Sequence, residues 1–348
     1  MKKNNLTLAV LAGAGMCVTA ACVKIPADAD YISPSATYTQ TLFEPVLGRT
    51  SLIPGDPGTN IFNKDNSTSP LNFKIINMRG ANGEAADIFN KTFPVLVWKE
   101  PYTGLEKTRE EIDRKRTIEQ RRLFEVREHS GQFVMWRPED LAYLNAIKKQ
   151  PDPGYKFDVE VSNSGGSKIV RNLELKPLRP QPYEPNAFDP VTGNSYGEVT
   201  PRVVSNIKVM YEDQTMGSMM VKMIFYKNPD TKGNTLTFEF RDSAYRPIDP
   251  KLFRTTKWEE MIHHFGTARF TPEAVTYEVA YPIPLSVRPT RYTNGAGNRA
   301  MVSFTYDRMV NGQFRSSAIL GTDFAIYEPG DWKIVFWFHK RNPDFKDN

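Results

Sequence analysis

Along much of the chain, apolar and polar residues alternate one by one. The clearest run is 155–163. Tyr155, Phe157, Val159 and Val161 fall on one face, and Lys156, Asp158, Glu160 and Ser162 on the other. Period-two alternation of this kind predicts a strand with one packed face and one wet face. Asn163, Ser164, Gly165 and Gly166 follow, residues that accept the positive φ of a tight turn, so 169–175 reads as the returning strand. Short apolar runs at 38–43, 71–78, 93–98, 123–127 and 133–136 predict further strands in the first half. The second half repeats the pattern at 203–211, 219–226, 236–240, 276–281 and 301–306. Asn311-Gly312, between 302–306 and 314–320, is a strong hairpin signal. The run 332–339 is apolar on both faces, as expected of a central strand covered on both sides.

Two segments break this β pattern. In 103–122, Thr103 with Glu106 has the spacing of a capping box, and Thr108 with Glu111 offers a second start. Glu110–Arg114 and Glu111–Lys115 are acid-before-base pairs four residues apart. Together they predict one charged helix lying on the sheets, or presenting a docking face to a partner protein. A shorter helix is predicted over 257–265. Pro177, Pro180, Pro182 and Pro185 then stiffen a stretch that cannot sit inside a sheet. The expected fold is mainly β: two β-sandwich-like domains, the first Ig-like, with one or two short helices. Their expected limits are 36–177 and 191–348, joined by a Pro-rich linker at 178–190.

The first residues follow a different logic. Lys2 and Lys3 precede an apolar run at 8–16, which ends in Thr19-Ala20-Ala21-Cys22. A positive end, a short apolar middle and small residues before a cut site form a signal-peptide pattern. The run is shorter than the roughly 20 apolar residues a membrane-spanning helix needs. Small residues directly before a cysteine resemble a bacterial lipobox. Residues 1–21 are therefore expected to be a lipoprotein signal peptide, Cys22 the lipidated residue, and 22–35 the tether. Lys24 followed by Asp28 and Asp30 resembles a surface-export tag, which implies an outer-membrane protein facing the cell exterior.

Composition then narrows the chemistry. The chain has 348 residues and two cysteines, Cys17 and Cys22, both in this leader region. A disulfide scaffold and a multi-cysteine metal site are thereby excluded. The formal charge of +5 becomes +3 once Lys2 and Lys3 are removed, and no basic run accompanies it, so nucleic acid is not expected as a partner. There is no phosphate loop, no Gly-x-Ser-x-Gly elbow and no His-Glu-x-x-His. Glu260 and His263 have a metal-ligand spacing, but a single copy in a β context predicts ion pairing. Asp56, Asn60, Asn63, Asp65 and Asn66 crowd one loop. Their oxygens suit Ca²⁺, yet turn propensity explains them without a metal. No cofactor is expected.

What remains is aromatic and polar. Sugar-binding surfaces use rings as platforms, with amide, carboxylate and guanidinium groups around them for hydroxyls. The candidates are Tyr102 and Trp258, beside polar residues at loop or helix starts, followed by Trp136, Tyr292 and Tyr306. Trp98 and Trp337 are assigned to the core.

Five stretches together carry a resemblance: FEPVLGR at 43–49, WKEPYTGLE at 98–106, FEVREHSGQFVMW at 124–136, VEVSNSGG at 159–166 and DPVTG at 189–193. The chain resembles a family of lipoproteins of unknown function, associated with outer-membrane glycan importers of the starch-utilisation type. That resemblance implies glycan capture beside a transporter and carries over no catalytic residue. Three functions are expected in descending order. The first is a non-catalytic glycan-binding accessory of an uptake system. The second is a structural lipoprotein docking to an outer-membrane transporter or another envelope complex. The third is a glycoside hydrolase with unidentified carboxylates.

Overall fold

The computed structural model describes residues 30–54, 59–310 and 312–346. Cys22, the leader and Asp56 lie outside the described residues. The fold is mainly β, built from several small, mostly antiparallel sheets and two six-residue helical segments, Arg109–Arg114 and Leu141–Ala146. No helix among the described residues is long and apolar enough to cross a membrane.

Buried apolar side chains collect in two large clusters, one drawn from residues 36 to 175 and the other from 207 to 338. The first packs beneath a four-stranded sheet ordered Leu42–Phe43, Gly166–Leu175, Tyr155–Asn163, Asn72–Gly80. The two long central strands pair antiparallel from Tyr155↔Leu175 to Asn163↔Gly166, the hairpin that the alternation predicts. One residue departs from the expected faces. The register shifts between Phe157 and Val159, and Asp158 turns inward. Its carboxylate accepts from Asn77 Nδ2 at 3.0 Å and from the Asn172 backbone N–H at 2.9 Å, with Arg79 at 3.4 Å. Burial opposes its ionisation, but these bonds prevail and hold its pKa below the ordinary value. Below the sheet, the rings of Phe43, Phe124, Phe133 and Phe157 interlock, with Phe124 and Phe133 stacked at 5.3 Å.

The second cluster lies against a sheet ordered Lys222–Lys227, Asp331–Trp337, Thr235–Arg241, Ala274–Glu278, Phe265–Phe270. Asp331–Trp337 is interior to it, antiparallel to one neighbour and parallel to the other. It buries Trp332, Ile334, Val335 and Phe336, as its two-faced apolar pattern requires. Ala300–Val310 and Phe314–Ile326 form a long hairpin closing at Val310↔Phe314. Gly312 sits in that turn with φ +65°, a conformation glycine adopts without steric cost. Phe304 from this hairpin meets Phe238, Phe240 and Phe336 from the sheet.

Both expected helices are shorter than the sequence pattern implies. Thr108 does cap a helix, accepting from the Glu111 N–H at 3.3 Å, but that helix ends at Arg114. Residues Arg116–Arg122 instead pair with Thr92–Trp98, from Thr92↔Arg122 to Trp98↔Arg116. Seven residues of ladder on a partner rich in Val95, Leu96 and Val97 outweigh ion pairs worth a few tenths of a kcal/mol each. The charges are used differently. Glu111 accepts from the Lys107 N–H, Lys115 bonds Glu106 at 2.6 Å, and Asp113 pairs with Arg109 and Arg116. Around 257–265 only a single turn forms, Trp258–Glu260, because Phe265 opens a strand. The Pro-rich segment is ordered by its neighbours: Tyr183–Glu184 lies on the edge of Phe314–Ile326, at Tyr183↔Ile326.

Candidate functional site

The two clusters meet in two zones. One is a small mixed core of Tyr102 and Ile112 from the first half and Ala280 and Leu285 from the second, with Trp98 and Phe265 packed on it. Gly104 has φ +78°, and a Cβ there would come within 3.3 Å of Thr290, so glycine lets the 102–107 loop approach the second half closely. At the centre stands His263. Its Nε2–H donates to the Glu106 carbonyl at 2.6 Å, which leaves Nδ1 to accept from the Tyr102 hydroxyl at 2.5 Å. Tyr292 stacks on the imidazole at 5.3 Å. Burial favours neutral imidazole and lowers the His263 pKa. The Glu106 carboxylate anchors the loop by accepting from the Thr103 and Gly104 N–H groups and from Lys115. Burial works against its ionisation, but those donors win and hold its pKa at about 2.

The second zone is ionic. Glu184, from the Pro-rich segment, accepts from Arg49 of the first half and from Arg299 of the second, each at 2.6 Å. Tyr327 donates to the same carboxylate at 3.3 Å, and the Arg49 guanidinium lies 4.7 Å above the Tyr327 ring.

A solvent-open cleft of about 1830 Å³ is lined by residues of both zones. Its first wall is the Thr92–Trp98/Arg116–Arg122 hairpin with the strands Ser51–Ile53 and Phe124–Val126; its second is the loops around 280–287, 298–299 and 327–329. Trp98, Trp136 and Tyr327 are half-buried on it, with Asn234 and Asn298 nearby in the lining. The Trp136 indole is oriented by its N–H, which donates to Glu125 at 3.0 Å, and the Trp98 ring carries the Arg116 guanidinium at 5.5 Å. Eight arginines and one lysine line the cleft against five glutamates, so its field is positive.

Of the five sequence candidates, Trp136 alone lies on this cleft. Tyr306 is fully buried, its hydroxyl donating to the Asp344 carbonyl, which corrects its placement as a surface residue. Tyr102 and Tyr292 are likewise inside, committed to His263. Trp258 is half-buried against Phe270 and Phe304. Trp98, assigned to the core from sequence, packs half-buried on the mixed core and also lines the cleft. Position beside polar residues misleads here because Tyr102 finds His263 across the joint between halves and Tyr292 stacks on the same imidazole, contacts distant in sequence and without local signal. Asn60 and Asn63 accept from backbone N–H groups two residues on, and Asp65 accepts from Ser33, so their oxygens serve turns. Among the described residues, no group of three His, Cys, Asp or Glu side chains is placed to hold a metal.

The fold and cleft thus define a β-rich protein with two cores and one large groove between them. By sequence it belongs to a family described as a domain of unknown function, DUF5007, which it matches over residues 62–347, across both halves. No curated protein and no solved structure matches the chain.

Proposed function

We propose that this protein is a non-catalytic glycan-binding accessory of an outer-membrane carbohydrate uptake system, lipid-anchored through Cys22. The cleft carries this reading. Its volume of about 1830 Å³ exceeds the roughly 300–1,000 Å³ of ordinary small-molecule pockets and suits an extended oligosaccharide. Trp98, Trp136 and Tyr327, each with a guanidinium over one face, bring aromatic surface to the cleft for sugar C–H groups, and the surrounding amides and guanidiniums offer hydrogen bonds to hydroxyls. Three of the five cleft glutamates, Glu119, Glu125 and Glu184, are paired with arginine, which favours a binding role for these three over acid–base work. The docking alternative loses its motif, since the charged helix that supports it is six residues long.

Affinity electrophoresis against plant, host and microbial polysaccharides tests the proposal. Trp136→Ala is expected to weaken retention at least tenfold, and Trp337→Ala, outside the cleft lining, to leave it unchanged. Retention of no polysaccharide, or equal loss in both variants, overturns it. Turnover of a retained glycan into shorter products overturns the non-catalytic part. Cys22→Ala is expected to release the protein from membranes and abolish its labelling with palmitate.

A further inference from the structure

Buried polar groups in folded proteins nearly always have partners, and each exception calls for a reason. Among the described residues, four buried side-chain polar atoms lack one: Arg116 Nε, Arg137 Nε, Ser286 Oγ and Trp337 Nε1. The first three belong to residues that line the cleft. The two arginine atoms can only donate, and the serine hydroxyl can do so.

Arg137 is the sharpest case. Its backbone N–H donates to Thr50 Oγ1 at 3.1 Å, but its guanidinium is in no ion pair or side-chain hydrogen bond among the described residues. Burial pushes its pKa down, and the through-space pull of Glu328 and Glu139 does not reverse this. Glu328 is itself taken by Lys227 at 3.1 Å. An arginine keeps its proton at physiological pH regardless, so a half-buried positive charge stands at the cleft without a counter-ion in contact. Arg116 repeats the theme. Its side chain is 9% exposed, two of its nitrogens bond Asp113 and the Tyr281 carbonyl, and the third is left over.

We infer that the cleft is built for an acidic oligosaccharide, one bearing carboxylate groups, with Arg137 as the principal carboxylate-binding residue and Arg116 and Ser286 supporting it. The inference rests on the sugar-binding reading of the same cleft and narrows its ligand class. A planar guanidinium matches a carboxylate with two parallel N–H···O bonds, the geometry a neutral hydroxyl cannot supply.

The test compares matched polymers by affinity electrophoresis, with calorimetry on their oligosaccharides: polygalacturonate and alginate, the same polymers after carboxyl reduction, xylan, and a sulfated galactan. The acidic forms are expected to bind, their reduced forms to bind at least tenfold more weakly, and added NaCl to weaken the acidic interaction. Arg137→Gln is expected to lose roughly 10- to 100-fold in affinity for the acidic forms, as for a charged hydrogen bond. Arg137→Lys, which keeps the charge without the fork, is expected to lose less. The melting temperature of the ligand-free protein supplies the second readout. A residue held for a ligand leaves it unchanged or raises it on substitution by Gln; a structural residue lowers it in both variants. Preference for xylan or the reduced polymers, or binding of the sulfated galactan alone, overturns this inference and leaves the sugar-binding reading standing. Retention of none of these polymers overturns both. Equal losses in the Gln and Lys variants, with a lowered melting temperature, overturn the role of Arg137.

Discussion

The two halves of the molecule touch in two ways that look alike in composition and differ in accounting. Around His263, every polar atom has an assigned partner: both ring nitrogens, the Tyr102 hydroxyl and both Glu106 carboxylate oxygens. Along the cleft, by contrast, donors of three lining residues, Arg116, Arg137 and Ser286, have none. A closed hydrogen-bond network in a low-dielectric setting fixes one geometry and serves as a joint. An open one costs free energy in the resting protein and is retained where something else completes it. Aromatic content alone does not separate these cases, since both regions hold tryptophan or tyrosine.

Substitutions can break this contrast, beginning with the joint. His263→Ala removes a stacked ring and strands both the Tyr102 hydroxyl and the Glu106 carbonyl; denaturant unfolding is expected to show a loss of about 2–4 kcal/mol. Glu106→Gln keeps the shape but weakens up to four bonds, including the one to Lys115, for a loss of about 1–3 kcal/mol. Acid should act on the same joint in two steps. The His263 pKa is lowered below its ordinary 6.5, so the unfolded chain takes up that proton first and stability declines as pH falls below about 6.5. The Glu106 pKa is also lowered, from 4.5 to about 2, so its contribution is complete above the ordinary value and is lost as pH falls from there toward 2. Melting temperatures from pH 7.5 down to 3 check both steps, and the first should shrink in His263→Ala to the share left by His339, whose pKa burial also lowers. In the cleft the sign differs: Arg137→Gln is expected to change unfolding free energy by less than about 1 kcal/mol, or to raise it. Tyr306→Phe, which removes one hydrogen bond inside the second core, is expected to cost about 1 kcal/mol and to leave polysaccharide retention untouched.

Strand alternation made the long hairpins legible, because period-two patterns survive whatever packs on them. Tyr155–Asn163 and Ala300–Val310 needed no tertiary information to be seen. The 103–122 segment looks helical from sequence for a physical reason: its ion-pair spacing is local, whereas the ladder that claims Arg116–Arg122 is made with Thr92–Trp98, some twenty residues earlier. The site was less legible still. Trp136 is legible as a ring beside polar residues, but Tyr327 joins Trp98, Arg116 and Arg137 on the cleft only because two independently patterned halves meet, and no periodicity encodes which arginine lacks a partner. Turn residues such as Asn60 and Asn63 are legible in the sequence, since an Asx turn is complete within three residues.

Glu184 gives the Pro-rich segment a role beyond spacing. Segments of this composition ordinarily act as interchangeable struts and tolerate changes of length. This one holds the single carboxylate shared by Arg49 and Arg299, with its strand register fixed at Tyr183↔Ile326 and Glu184↔Ala325. Adding or deleting one residue there turns the carboxylate to the opposite face of its strand. Two guanidiniums would then confront each other across the groove. The segment thus behaves as a gauge that sets how far apart the two halves stand, and its length is as constrained as that of any buried strand.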